Sequence, residues 1–300
     1  MGKIAFVFSG QGAQYSGMGK AMYDASPAAR AVFDMADSIR EGTSKQCFEG
    51  TAEELTRTVN TQPCVFTADL AAARALVEKG IVPDCTAGFS LGEIAALAFS
   101  GALSDEEAFR LVCRRGELMD KAARENPGAM IAVMKLPPEK VEELCGKFDK
   151  AYPVNYNSPA QTVVAATSEN ADVFCAAVKE AGGRAKQLPV SGAFHSPFMA
   201  DAAAGLAEYL KYVEFSRPEI KVYSDYTARP YEGDFRELVR AQVENPVRWQ
   251  SIMEDMHLNG VDTVIEIGVG KTLQSLAKRT FDDIKAFKVE TPEDIENLEL

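Results

Sequence analysis

One serine, one inward-facing arginine and two histidines are the residues of this chain whose types and settings suit group-transfer chemistry. Gly88-Phe89-Ser90-Leu91-Gly92 sets a serine between two glycines. A stretch reading as a short strand (81–87) precedes it, and an almost wholly apolar helix (91–100), stopped by Gly101, follows. A serine on such a strand-to-helix turn is a nucleophile elbow: the glycines permit the tight backbone, and the N–H of Leu91 points at an oxyanion forming beside the hydroxyl. A hydroxyl is a weak nucleophile without a base, and only His195 and His257 offer an imidazole. His257 sits near the end of a helix expected to start at Asn245-Pro246 and stop at Gly260, where a cation meets the macrodipole, so it reads as a surface residue. His195, in Gly192-Ala193-Phe194-His195-Ser196-Pro197 just before an amphipathic helix, is the better base.

The arginine is placed by helical phase. Ser104 to Glu107 has capping-box form and sets a helix reaching about Ala123; its apolar stripe runs through Ala108, Leu111, Val112, Leu118, Met119 and Ala122, with Arg115 in the middle. Arg110, Arg114, Glu117 and Lys121 take the wet face. A guanidinium turned inward needs an anion, because desolvating it alone costs several kcal/mol. The pattern leaves two anions open: a carboxylate of the protein, such as Glu93, or one carried by a substrate.

The elements that must position these groups follow the chain. Residues 4–8 form an uninterrupted apolar run, the mark of an interior parallel strand, ending in Ser9-Gly10-Gln11-Gly12-Ala13-Gln14. The loop is not a dinucleotide fingerprint, because Tyr15 stands where the third glycine would fall; it leaves a neutral amide, Gln11, at a sheet's carboxyl edge. Helices are expected from Ser26-Pro27, from Thr51 to Glu54 as a capping box, and from Pro63 to Gly80. From Gly128 the order becomes strand, helix, strand, strand, helix, strand, a split βαβ pattern. The expected fold is α/β: a large α/β-hydrolase-like domain with a mainly parallel sheet (1–126 and 192–300) carrying a small inserted ferredoxin-like βαββαβ subdomain (127–191). Strands at 219–224 and 262–267 and a helix at 235–243 complete the large part, and Gly268-Val269-Gly270-Lys271-Thr272 lacks the first glycine of a phosphate loop. Its glycines could still present N–H groups to a phosphate.

Composition narrows the partners. A net charge of -12 argues against nucleic acid or an anionic membrane, and no apolar run spans a bilayer. The amino terminus has no signal-peptide layout and the six cysteines include no Cys-x-x-Cys pair, so the expectation is a cytoplasmic protein with free thiols, no metal site and no cofactor. A monomer is expected.

With Gln11, Ser90, Arg115 and His195 assembled, the chain resembles the malonyl-CoA:acyl carrier protein transacylase family. Gly10-Gln11-Gly12-Ala13-Gln14 is similar to its opening motif, Gly88 to Glu93 to its nucleophile motif, and Cys113-Arg114-Arg115-Gly116 to the segment whose arginine binds the malonyl carboxylate. Ala193-Phe194-His195 is similar to the segment that holds the base and, in related polyketide acyltransferases, accompanies malonyl choice. Gln242, three residues before Asn245-Pro246, matches the residue whose carbonyl orients the histidine, and residues 266–271 resemble a closing motif. The chain departs at Phe89, where the family has histidine, and at Val269, where it has proline.

The resemblance implies Ser90, His195 and Gln242 as catalytic residues, the N–H groups of Gln11 and Leu91 as the oxyanion hole, and Arg115 with Phe194 as substrate-binding residues. It implies malonyl-CoA and acyl carrier protein as partners in fatty acid biosynthesis, through a malonyl-serine intermediate. No acidic residue stands out as a third triad member, and the dyad is expected to hold no pair of buried carboxyl groups. The alternatives are an acyltransferase serving a polyketide synthase, a serine thioesterase using the same elbow, and a carrier-docking module without catalysis.

Overall fold

The strand Lys3–Phe8 is apolar on both faces, which suits only the interior of a sheet covered on both sides. The computed structural model describes residues 2–190 and 192–300, so Ser191, at the end of the expected insert, and Met1 lie outside the described residues. The described strands are β1 (Lys3–Phe8), β2 (Cys85–Gly88), β3 (Gly128–Met134), β4 (Tyr152–Ser158), β5 (Gln161–Thr167), β6 (Arg184–Gln187), β7 (Lys221–Val222), β8 (Val261–Ile267) and β9 (Lys285–Val289). Five of them form a parallel sheet in the order β7-β2-β1-β8-β9. Phe6, Phe8, Ile265 and Ile267 pack into the core on one face, and Ala5, Val7 and Val264 into that on the other.

The other four strands form an antiparallel sheet in the order β4-β5-β3-β6. Its strands alternate. Ile131 and Val133 of β3 pack under the helices Pro138–Cys145 and Ala171–Glu180, while Met130 and Ala132 face the core of the large sheet. This sheet hangs between the helix Asp105–Glu125, which carries Arg115, and the segment that carries His195. It thereby brings two residues far apart in sequence to one place.

Two helix starts and one cap differ from the sequence reading. The helix expected from Pro63 begins at Thr58, and Pro63 lies inside it, one turn in, where its fixed φ suits a helix and only one backbone bond is lost. The helix expected from Asn245-Pro246 begins at Trp249, because Val247 is held extended by Val154 and Tyr156 of the small sheet. At Ser104 the capping box is half formed: Ser104 Oγ accepts from the Glu107 N–H, and Glu107 turns its carboxylate to the Ser104 hydroxyl rather than to the backbone. Ser26 and the Thr51–Glu54 box cap their helices as read. All six cysteines are free thiols.

Candidate active site

The elbow follows β2. Ser90 adopts φ 57°, a left-handed conformation that a non-glycine residue takes only when its surroundings impose it. Gly88 and Gly92 make the turn possible: a Cβ on Gly88 would lie 1.9 Å from the Gly92 backbone, and one on Gly92 2.4 Å from the Phe8 carbonyl. The helix Gly92–Phe99 then leaves with its first turn directed at the serine.

Ser90 Oγ lies 2.7 Å from His195 Nε2, and His195 Nδ1 lies 2.8 Å from the backbone carbonyl of Gln242. A carbonyl only accepts, so Nδ1 carries the imidazole proton and Nε2 is left to accept the serine hydroxyl proton. His195 is buried, and burial beside Arg115 pushes its pKa down to about 4, so the ring is neutral near pH 7. His195 too holds a left-handed backbone, φ 59°.

Arg115 is 1% exposed and touches only neutral groups: Nη1 donates to Gln62 Oε1 at 2.7 Å, Nη2 to Gln242 Oε1 at 2.8 Å and to Ser90 Oγ at 3.3 Å. No carboxylate forms an ion pair with it among the described residues, and its Nε has no partner. Burial lowers its pKa to about 10, which still leaves it a cation at neutral pH. Of the two anions left open by the sequence, Glu93 is not a contact. Its oxygens are taken by Tyr231, the Asp225 N–H and the Gln242 amide.

Gln11 and Leu91 flank the same space. Neither backbone N–H has a hydrogen-bond partner among the described residues, as an oxyanion hole in the free state requires. The Gln11 loop is pinned from below by Asp69, fully buried, which accepts from Ser9 Oγ at 3.0 Å and from the Val269 N–H at 3.0 Å. Gln11, Leu91, Phe194 and His195 line a cavity of about 80 Å³ with Ser90 at its base. It shares Gln11, Phe89, Asn155 and Leu188 with a second cavity of about 230 Å³ between the two sheets. A larger open groove of about 800 Å³, at Phe215–Pro218 and Tyr231–Arg236, holds none of the reactive groups; the site is where the chemistry converges.

The structure thus brings Gln11, Ser90, Leu91, Arg115, Phe194, His195 and Gln242 together. His257 is elsewhere, stacked on Phe281 at 4.4 Å. Phe89 packs against Trp249 at 5.6 Å. Lys271 does not open a phosphate site, since the helix that follows it turns its N-terminal N–H of Gln274 to the carboxylate of Glu266 at 2.8 Å. Sequence reasoning missed Gln62 and Asp225. It also expected no pair of buried carboxyl groups, yet Glu93 and Asp225 lie side by side beneath the elbow, neither hydrogen-bonded to His195, so the dyad stands on a carboxyl pair that does not act as its third member. Gln62 lies in the polar first turns of the helix Thr58–Glu78, beside Asn60 and Thr61, so nothing in the sequence set it apart.

The model of the family described as acyl transferase domain matches residues 5–294. The chain belongs to the acyl transferase family. This acyl transferase is 40% identical to the malonyl CoA-acyl carrier protein transacylase of Bacillus subtilis (strain 168), over 99% of this chain and 96% of that one. It superposes on the malonyl CoA-acyl carrier protein transacylase of Clostridium perfringens with a TM-score of 0.94 at 35% identity, covering 98% of this chain and 95% of that one. The same TM-score, at 34% identity and 98% of both chains, relates it to a malonyl-transacylase solved in complex with its type II PKS acyl-carrier protein. No helix among the described residues is long and apolar enough to cross a membrane.

Proposed function

We propose that this acyl transferase moves a malonyl group from malonyl-CoA to the phosphopantetheine thiol of acyl carrier protein in fatty acid biosynthesis. Ser90 is the nucleophile of this reading and His195 its base. The Ser90 hydroxyl proton passes to His195 Nε2 as Oγ attacks the thioester carbon, and the Gln11 and Leu91 N–H groups receive the oxyanion. Coenzyme A leaves as its sulfur takes the proton from His195, giving a malonyl-serine ester. The carrier thiol then runs the same steps in reverse order: it gives its proton to His195, attacks the ester, and Ser90 Oγ recovers the proton as it leaves. Gln242 holds the imidazole through its carbonyl, and the cavity walls, Phe194 among them, keep water from the ester.

The observation that carries the malonyl reading is Arg115: a buried cation 3.3 Å from the nucleophile, contacted only by neutral groups and with Nε unpaired. A free carboxylate on the acyl group supplies the missing anion and pairs with the guanidinium as a bidentate partner. An acyl chain without a carboxylate leaves that cation unpaired.

We also read the parallel sheet as hydrolase-like and the antiparallel one as a ferredoxin-like subdomain, 127–191 inserted into 1–126 and 192–300. The βαββαβ order and the strand order β4-β5-β3-β6 support this. Six free thiols support placing the protein in the cytoplasm, and we read it as a monomer that meets its carrier transiently. The test is to give malonyl-CoA without carrier and then add carrier: a stable protein-bound malonyl group that the carrier discharges supports the reading, and prompt release of free malonate assigns a thioesterase instead.

A further inference from the structure

Beneath the elbow lie two carboxyl groups that the acyl-transfer steps do not use. Glu93 is 1% exposed and Asp225 0%. Asp225 Oδ2 accepts the Ser90 N–H at 2.7 Å, and Gln242 Nε2 donates to the Ser90 carbonyl at 2.6 Å, so both backbone polar groups of the strained serine are held by this layer. The same Gln242 nitrogen lies 3.0 Å from Glu93 Oε2 and 3.3 Å from Asp225 Oδ2, while Gln242 Oε1 accepts from Arg115. Tyr231 donates its hydroxyl to Glu93 Oε1 and the Asp225 N–H donates to Glu93 Oε2 at 3.1 Å.

Two ionised carboxylates gathered around one amide nitrogen in a dry site repel, so the pair keeps one proton. The donors around it say where. Glu93 has donors at both oxygens, the pattern a carboxylate demands. Asp225 has donors at Oδ2 only, and among the described residues none reaches its buried Oδ1, so this carboxyl group lacks the donors that would hold it as an anion and is where the proton stays. Among the described residues, the cations and titratable groups facing the layer are Arg115, linked to it through the Gln242 amide, the neutral His195 beyond, and Tyr231, and no lysine forms an ion pair with either carboxyl group.

We propose that Glu93 and Asp225 share a single proton, held by Asp225, and act with Tyr231 as a positioning pair that fixes the Ser90 backbone and the Gln242 amide and balances Arg115 without an ion pair. The amide of Gln242 stands between Glu93 and Arg115, so the guanidinium feels a counter-charge yet keeps donors for a substrate carboxylate. Burial drives both carboxyl groups up from the usual range, as a shared proton requires. The functional half of this inference rests on the acyl-transfer reading; the proton does not.

Three variants and one spectrum test it. Asp225→Ala should lower kcat for malonyl transfer about 100-fold, the usual cost of displacing a reacting group by about 1 Å. Asp225→Asn, whose amide sets a carbonyl acceptor beside an N–H donor as the acid sets C=O beside O–H, should recover to within about fivefold of wild type. Glu93→Gln should stay about 100-fold down, because its NH2 would face a donor in either orientation, Tyr231 at one oxygen position or Asp225 and Gln242 at the other. Infrared difference spectra of the free protein at about pH 8, wild type against Asp225→Asn, should show the loss of one carboxylic-acid C=O band. An asparagine variant as slow as the alanine one, a Glu93→Gln variant as fast as Asp225→Asn, or no acid band lost would overturn the proposal. Should Asp225→Ala fail to fold, the asparagine–glutamine comparison and the band decide alone. A wild type that transfers no malonyl group would refute the acyl-transfer reading, while the band would still decide the proton.

Discussion

Arg115 holds a full positive charge against Gln62, Gln242 and the Ser90 hydroxyl, and on the proposed reading it discriminates between acyl groups by charge. Losing one partner of a desolvated pair costs about 3–5 kcal/mol, and each 1.4 kcal/mol is tenfold, so Arg115→Ala should cut kcat/KM for malonyl-CoA by roughly two to three orders of magnitude. Acetyl-CoA brings no carboxylate, so its slow transfer should hold or rise. An equal fall for both substrates would make Arg115 a structural residue. His195 sets the pH dependence. Burial drives its pKa to about 4, below the ordinary 6.5, so the base is neutral above about 4 and protonated below it. The acid limb of kcat/KM for serine acylation should therefore fall near pH 4; a limb at the ordinary histidine value would show an imidazole open to water. The stability consequence has the same sign: the unfolded chain binds this proton first, so the contribution of His195 is present above about 6.5 and lost as pH falls towards 4. Ser90, Arg115 and His195 were legible in sequence because each carries a local signal, a glycine bracket, a helical phase or scarcity. Gln62 and Asp225 were not, since their meaning comes only from contacts made 53 and 135 residues away.

Among the elements, the elbow depends on two strands and a helix meeting without side chains between them. A methyl on Gly92 would overlap the carbonyls of Phe8 and Ser9, at 2.4 and 2.5 Å, and backbone cannot step aside as a side chain does. Gly92→Ala should lower stability by about 3 kcal/mol or more, read as a fall in the midpoint of thermal or denaturant unfolding, with the labelling of Ser90 lost in the folded fraction. An alanine variant of wild-type stability would mean the helix Gly92–Phe99 sits further from β1 than described. β1 and β8 were readable as apolar runs, and the helix carrying Arg115 from its cap and stripe. Where the reading slipped, the cause was non-local. Val247 is drawn into pairing with the small sheet, which delays the next helix to Trp249, and Pro63 is carried within a helix by the 16 residues buried along it.

The whole molecule is acidic, at -12, and any carrier that shares that sign must be met by a local basic surface. Arg184 and Lys186 are exposed on β6, which leads toward the His195 segment, and Lys271, Lys278 and Arg279 are exposed beside the closing loop; none of the five is in an ion pair among the described residues. Reversing Arg184 and Lys186 to glutamate should raise the apparent KM for carrier about tenfold and leave acylation by malonyl-CoA alone, since only rim electrostatics change. If both half-reactions fall together, the strand is structural and docking lies elsewhere. The α/β alternation follows from the sequence pattern, but the edge strand β9 and the cleft do not; the cleft is made by two sheets whose approach is fixed by packing and by the Val247 bridge. The central claim is that the acyl group rests on Ser90 between its two thiols. Intact-protein mass spectrometry after malonyl-CoA alone, with and without a chase of carrier, tests it directly. The wild type should gain the mass of one malonyl ester and lose it to carrier, and Ser90→Ala, with its fold unchanged, should gain nothing. A Ser90→Ala protein that still takes up the malonyl group, or a wild type that transfers to carrier without ever carrying it, would contradict the account.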